Sequence, residues 1–219
     1  MKKVAVVLAG SGYLDGAEIR ESVITLLALD RAEAQVQCFA PDINQMHVVN
    51  HLTGEEVKGE SRNVLVESAR IARGNIKDLS QANVNDFDAL ILPGGFGAAK
   101  NLSDVAVKGA DADVLPEFKE LILSFLDAKK PIGAICISPA VVAAAVKGAR
   151  KIEVTVGKDD GGLISGMGAD HKSCDTTDIC IDEAHLIVSC SAYMDDSARI
   201  KDVATGIEKL VEKVISMTG

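Results

Sequence analysis

Three short apolar runs constrain this chain more than any other feature: "KKVAVVLAG" (2–10), "FDALILPGGFG" (87–97) and "PIGAIC" (131–136). Each is continuous rather than alternating, and each stops at glycine or cysteine. A strand that is apolar on both faces has to be covered on both, as in a parallel sheet held between helices. Stretches of helical period separate them, at 17–32, 62–74, 115–130, 139–148 and 197–217. The first of these carries Ile19, Val23, Leu26 and Leu27 as its apolar period. Further strand-like runs lie at 34–42, 151–157, 178–184 and 185–192, and 46–57 reads as a hairpin turning at Thr53-Gly54. Strands alternating with helices predict an α/β fold with a doubly wound, mostly parallel sheet. No repeat, linker or low-complexity tract divides the chain, so 1–219 is expected to form one domain.

Composition agrees. With 47% hydrophobic residues, 3% aromatics and no tryptophan, the core has to be built from Val, Ile, Leu and Ala. The net charge is −9, from 32 acidic and 23 basic residues, and no basic block stands out. Nucleic acid and anionic membrane are therefore poor partners. The apolar runs fall far short of a membrane span. The opening "MKKVAVVLAGSG" has the charge of a short signal peptide but too few apolar residues, against the ~7–15 such a segment needs. The expectation is a cytoplasmic protein. Five cysteines, Cys38, Cys136, Cys174, Cys180 and Cys190, form no C-x-x-C, and the four histidines make no pattern with them. Neither a disulfide scaffold nor a metal site is expected, and no cofactor. Cys38 and Cys190 read as packing; Cys174 and Cys180 flank the polar "DTTD".

In an open α/β sheet, ligands bind beyond the carboxyl ends of the strands. Three runs end there in unusual residues: "AGSGYLDGAE", "PGGFG" and "CISP". Gly10, Gly12 and Gly16 are spaced G-x-G-x-x-x-G, one residue too long for a dinucleotide fingerprint. Cys136 stands where a strand becomes a helix, with Ser138 a candidate N-cap and Pro139 in the first turn. The helix N-terminus favours an anion, so the thiol is expected to ionise easily. Gly94 and Gly95 end the neighbouring strand and can turn backbone N–H groups toward a ligand. Glu18 stands over the first strand. The bland alternatives are a packed cysteine, an ordinary tight turn and a glutamate that offsets a helix dipole. Together the three make a nucleophile, an anion hole and a carboxylate.

"AICISP", "LPGGFGAAKNLS" and "DGAEI" resemble the DJ-1/PfpI superfamily of class I glutamine-amidotransferase-like proteins. "CFAPD", "NHLTGE", "ESRNVLVESARI" and "AYMDD" extend the resemblance to the ES1 family, from residue 3 to about 215. The resemblance implies a flavodoxin-like three-layer α/β/α sandwich with the reactive Cys136 on a strained strand-to-helix nucleophile elbow. It implies Glu18 as the glutamate hydrogen-bonded to the thiol, and Gly95 and Ile137 as oxyanion-hole donors. It further implies a homodimer with weak, glutathione-independent glyoxalase activity on small dicarbonyls, glyoxal and methylglyoxal. The alternative is a non-catalytic redox or stress sensor using an oxidisable Cys136, with an effect on isoprenoid biosynthesis. The amidotransferase elbow is G-x-C-x-G, whereas Ala134 and Ser138 stand here, and Ile137 replaces the histidine that follows the peptidases' cysteine. Glutamine hydrolysis and proteolysis are therefore not expected. His171, in "GADHKSC", is the one histidine considered for the site, against the plainer reading of a loop residue.

Overall fold

The computed structural model describes all 219 residues, Met1–Gly219. The chain runs β1 (Lys3–Val7), α1 (Ile19–Arg31), β2 (Gln35–Ala40), β3 (Val49–Asn50), β4 (Glu55–Glu56), α2 (Val64–Ile71), β5 (Ile76–Asp78) and β6 (Ala89–Leu92). Two short helices follow, α3 (Phe96–Lys100) and α4 (Val105–Lys108), then α5 (Pro116–Asp127), β7 (Ile132–Ile135) and α6 (Ser138–Val146). The last third holds β8 (Glu153–Val154), α7 (Leu163–Gly166), β9 (Asp170–His171), β10 (Cys180–Asp182), β11 (Ile187–Cys190) and α8 (Ile200–Met217). Seven strands make the central sheet in the order β10-β11-β7-β6-β1-β2-β5, and only β10 is antiparallel to its neighbour. The fold is the expected α/β sandwich.

The continuous apolar runs sit at the middle of this sheet because both faces are covered. In β1, Val4 and Val6 point into one core while Ala5 and Val7 point into the other. The first core lies under α1 and α8 and the second under α5 and α6. All nine residues of α6 are buried, as an apolar, alanine-rich helix requires. The closing helix buries Val203, Ile207, Leu210, Val211 and Val214 on one face. Gly133 keeps β7 thin beneath it: a Cβ there would stand 2.8 Å from Leu210 Cδ2.

Four expectations change. The run 151–157 contributes only two residues to a strand, and these pair with β9 in a separate ribbon outside the central sheet. The edge strand β5 and the short helices α3 and α4 lack a periodic signal long enough to read. Ser138 is the first helical residue, not the cap; its hydroxyl donates to the Pro93 carbonyl at 2.8 Å. Most telling is α1. Three residues of its apolar period, Ile19, Val23 and Leu27, are 45–49% exposed, and only Leu26 packs partly buried against the core, while Glu21, Ser22, Thr25, Ala28 and Leu29 are buried.

Candidate active site

The loops after β1, β6 and β7 are laced into one unit. Gly97 N–H donates to Gly16 O at 2.8 Å, Phe96 N–H to Tyr13 O at 2.7 Å and Glu18 N–H to Gly94 O at 2.9 Å. Such closeness demands glycine. A Cβ on Gly95, whose φ is +94°, would fall 2.4 Å from Glu18 N, and one on Gly94 would fall 2.4 Å from Cys136 Cβ. Cys136 itself has φ +60°, a left-handed conformation that is costly for a side chain with a Cβ. Its N–H still continues the sheet, donating to Cys190 O at 2.9 Å. The strand therefore ends in a sharp elbow that lifts the sulfur out of the sheet at the N-terminus of α6.

Three groups act on the thiol: the Gly95 and Ile137 N–H groups and the carboxyl of Glu21. The carboxyl that acts on the thiol is thus Glu21, one turn further on, and not the expected Glu18. Glu21 is fully buried, with Oε2 accepting from Gly94 N–H at 3.0 Å and Oε1 from Tyr193 N–H at 3.2 Å. Burial, and then the charge of Glu18, push its carboxyl up to about 8. Glu18 caps α1 instead, its Oε2 accepting from Glu21 N–H at 2.6 Å, and burial raises its carboxyl as well.

The expectation that the Cys136 thiol ionises easily is overturned. Burial, and then the Glu21 charge, raise it well above its ordinary value, against the downward pull of the Gly95 and Ile137 N–H groups. Cys136 and Glu21 are two buried acids side by side: a charged Glu21 opposes thiolate formation, whereas the thiol, as a donor, favours the Glu21 carboxylate. They titrate as a pair, and the N–H groups on sulfur and on carboxyl decide where the shared charge rests.

Cys136 forms the floor of a cleft of about 980 Å³, lined also by Tyr13, Glu18, Ile19, Arg20, Phe96, Ile137 and Met194. The histidine in this lining is His51, from the β3–β4 hairpin; His171 lies in β9 and is not part of it. Both His51 ring nitrogens are engaged: Nδ1 stands 3.1 Å from Val49 O, and Nε2 accepts from Leu14 N–H at 3.2 Å. Asp15 Oδ1 lies 3.8 Å from Nε2. No histidine is among the partners of the thiol. All five cysteines are free, and no cluster of His, Cys, Asp or Glu has the arrangement of a metal site. The sequence reading missed Glu21, Tyr193 and His51. Glu21 alone left a signal, as an acidic residue three positions past Glu18 on the same helix.

A cysteine on such an elbow over a mostly parallel sheet defines a class. The DJ-1/PfpI family model matches residues 2–156, and the chain belongs to that family. Within it the chain is an ES1 member. It is 43% identical over 228 residues to the mitochondrial ES1 protein homolog of Rattus norvegicus, spanning 99% of this chain and 84% of that one. Identity and coverage are the same for the mitochondrial glutamine amidotransferase-like class 1 domain-containing protein 3 of Homo sapiens. Among solved structures, the isoprenoid biosynthesis protein with amidotransferase-like domain from Ehrlichia chaffeensis matches with a TM-score of 0.95 and 46% identity over the whole of both chains. Drosophila melanogaster DJ-1beta, at 18% identity and a TM-score of 0.54, shares the fold.

Proposed function

We propose that the protein is a glutathione-independent glyoxalase acting on 1,2-dicarbonyls. The observation that carries this reading is the setting of Cys136: a cleft-facing sulfur with two amide donors and a proton-holding carboxyl behind it. The thiolate attacks the aldehyde carbon. A C–S bond forms, and the carbonyl π pair moves to oxygen beside the Gly95 and Ile137 N–H groups. That oxygen takes up a proton from water in exchange for the one the thiol gave up, and the product is a hemithioacetal. Glu18, which faces the cleft, then takes the proton from this carbon and returns it to the neighbouring carbon through an enediol. The first carbon is oxidised by two electrons to a thioester and the second is reduced by two to an alcohol. Water cleaves the C–S bond, releasing the 2-hydroxy acid and the thiol. One water is consumed and no external oxidant is needed.

The division of labour follows from position. Both Glu21 oxygens already accept N–H groups behind the sulfur, while Glu18 lines the cleft and uses only one oxygen as a cap. Glutamine hydrolysis would need a Cys–His pair, and His51 is committed to backbone on both sides of its ring.

The test is hydroxy-acid formation from glyoxal and methylglyoxal without glutathione. Cys136→Ala is expected to abolish turnover, and Glu18→Gln to lower kcat by about 100-fold or more. Stoichiometric consumption of dicarbonyl as a Cys136 adduct, with no repeated cycles, would replace the enzyme with a thiol sensor or binding protein.

A further inference from the structure

The cleft is large for glyoxal or methylglyoxal. A molecule of four or five heavy atoms fills roughly a tenth of the 980 Å³, a volume at the upper end of sites that enclose drug-sized ligands. The remaining lining is mostly apolar, with Tyr13, Leu14, Ile19, Phe96, Ile137 and Met194 around the thiol. Several of these are held open to solvent: Tyr13, Ile19, Phe96 and Met194 are among the few large apolar side chains exposed on the whole surface. Apolar rings and branches that line a catalytic cleft and stay uncovered are placed to meet an apolar ligand.

The charges in the cleft add direction. Its lining holds one cation, Arg20, and two carboxylates, Glu18 and Asp196. Arg20, like Arg73 and Arg199, sits in no ion pair, although its charge acts on the neighbouring Glu18. Its guanidinium makes a single hydrogen bond, 3.1 Å to Tyr193 Oη, and lies 5.8 Å from the centre of that ring. Tyr193 thus fixes one side of the fork and leaves the other donors free. Arg20 is exposed at the rim while Cys136, 7% exposed, is the floor. A planar donor set at the rim, an apolar wall and a nucleophile at the bottom form an ordered sequence of contacts.

We propose that the substrate of this site is a 1,2-dicarbonyl carrying an aromatic or branched apolar segment that ends in a carboxylate. The dicarbonyl meets Cys136, the apolar segment lies along Ile19, Phe96 and Met194, and the carboxylate takes the free face of Arg20. This rests on the glyoxalase reading for its chemistry, but not for its binding.

Initial rates with methylglyoxal, phenylglyoxal and 4-carboxyphenylglyoxal separate the parts. Phenylglyoxal is expected to exceed methylglyoxal in kcat/KM by about tenfold or more, from ring burial. The added carboxylate is expected to give roughly a further fivefold. Arg20→Gln is expected to erase the ratio between 4-carboxyphenylglyoxal and phenylglyoxal, whatever it does to both rates through the neighbouring Glu18, and Arg20→Lys to restore part of that ratio. In parallel, calorimetry on the Cys136→Ser protein uses unreactive probes, with 4-acetylbenzoate expected to bind more tightly than acetophenone and Arg20→Gln to erase the difference. Equal rates for methylglyoxal and the aryl substrates would overturn the proposal, as would a carboxylate preference that survives Arg20→Gln. If the binding preference holds but no dicarbonyl is turned over, the cleft assignment stands and the glyoxalase reading falls.

Discussion

At the scale of single residues, the site turns on which glutamate reaches the sulfur. Glu21 is held neutral by burial, so folding raises its proton affinity above that of the unfolded chain, whose carboxyl titrates near the ordinary 4.5. The folded state therefore binds more protons between about 4.5 and 8, and stability contributed by the neutral carboxyl is lost as pH rises through that window. Unfolding free energies of the wild type, from denaturant melts, should fall across it by up to about 1.4 kcal/mol per pH unit, and those of Glu21→Gln should stay flatter. Parallel curves for the two proteins would mean that Glu21 is ionised throughout. Alkylation of Cys136 offers a second readout. Glu21→Gln removes the charge that opposes thiolate formation, so its alkylation midpoint should move to lower pH, whereas an unmoved midpoint would uncouple the two groups. The sequence pointed to the thiol because an apolar run broken by cysteine, serine and proline is a local signal. It misplaced the glutamate because "DGAEIRES" offers two, and only the helix's rotation on the sheet decides which one turns inward.

Elements carry the next lesson. Helix α1 was legible as a helix but not in its orientation. Apolar periodicity ordinarily marks the buried face, yet here Ile19, Val23 and Leu27 look outward and the polar Glu21, Ser22 and Thr25 look in. The inward carboxyl is satisfied by N–H groups from residues 94 and 193, which no periodicity within the helix could reveal. The glycine turn after β6 was legible, and its role is steric. Gly95→Ala would drive a methyl into Glu18 N and Gly16 O while holding alanine at φ +94°. A loss of about 3 kcal/mol or more is expected, a fall in Tm of roughly 10 °C. Ser138→Ala tests the other tie between loops. Losing the buried bond to Pro93 O should cost about 1 kcal/mol, read from denaturant midpoints.

Across the whole molecule, the central sheet and its two cores form one cooperative body, and the short ribbons lie outside it. Amide exchange should be slowest in β1, β6 and β7, which lie in the middle of the buried sheet, and fast at the exposed tip of the β3–β4 hairpin, residues 51–56. Slow exchange throughout that hairpin would show it packed into the body of the protein. The sheet was legible because fully buried strands write continuous apolar runs, whereas two-residue ribbons such as β8–β9 write nothing a pattern can recover. One more consequence follows from Tyr193. The thiol, both amide donors and both glutamates lie within residues 2–156, the span shared with the wider family, but the second N–H holding Glu21 comes from residue 193. The Tyr193 backbone thus ties the tail to the proton on Glu21. Changes that shift this backbone would reset how firmly the proton is kept while leaving the nucleophile untouched, so a distant stretch of chain governs reactivity at the elbow.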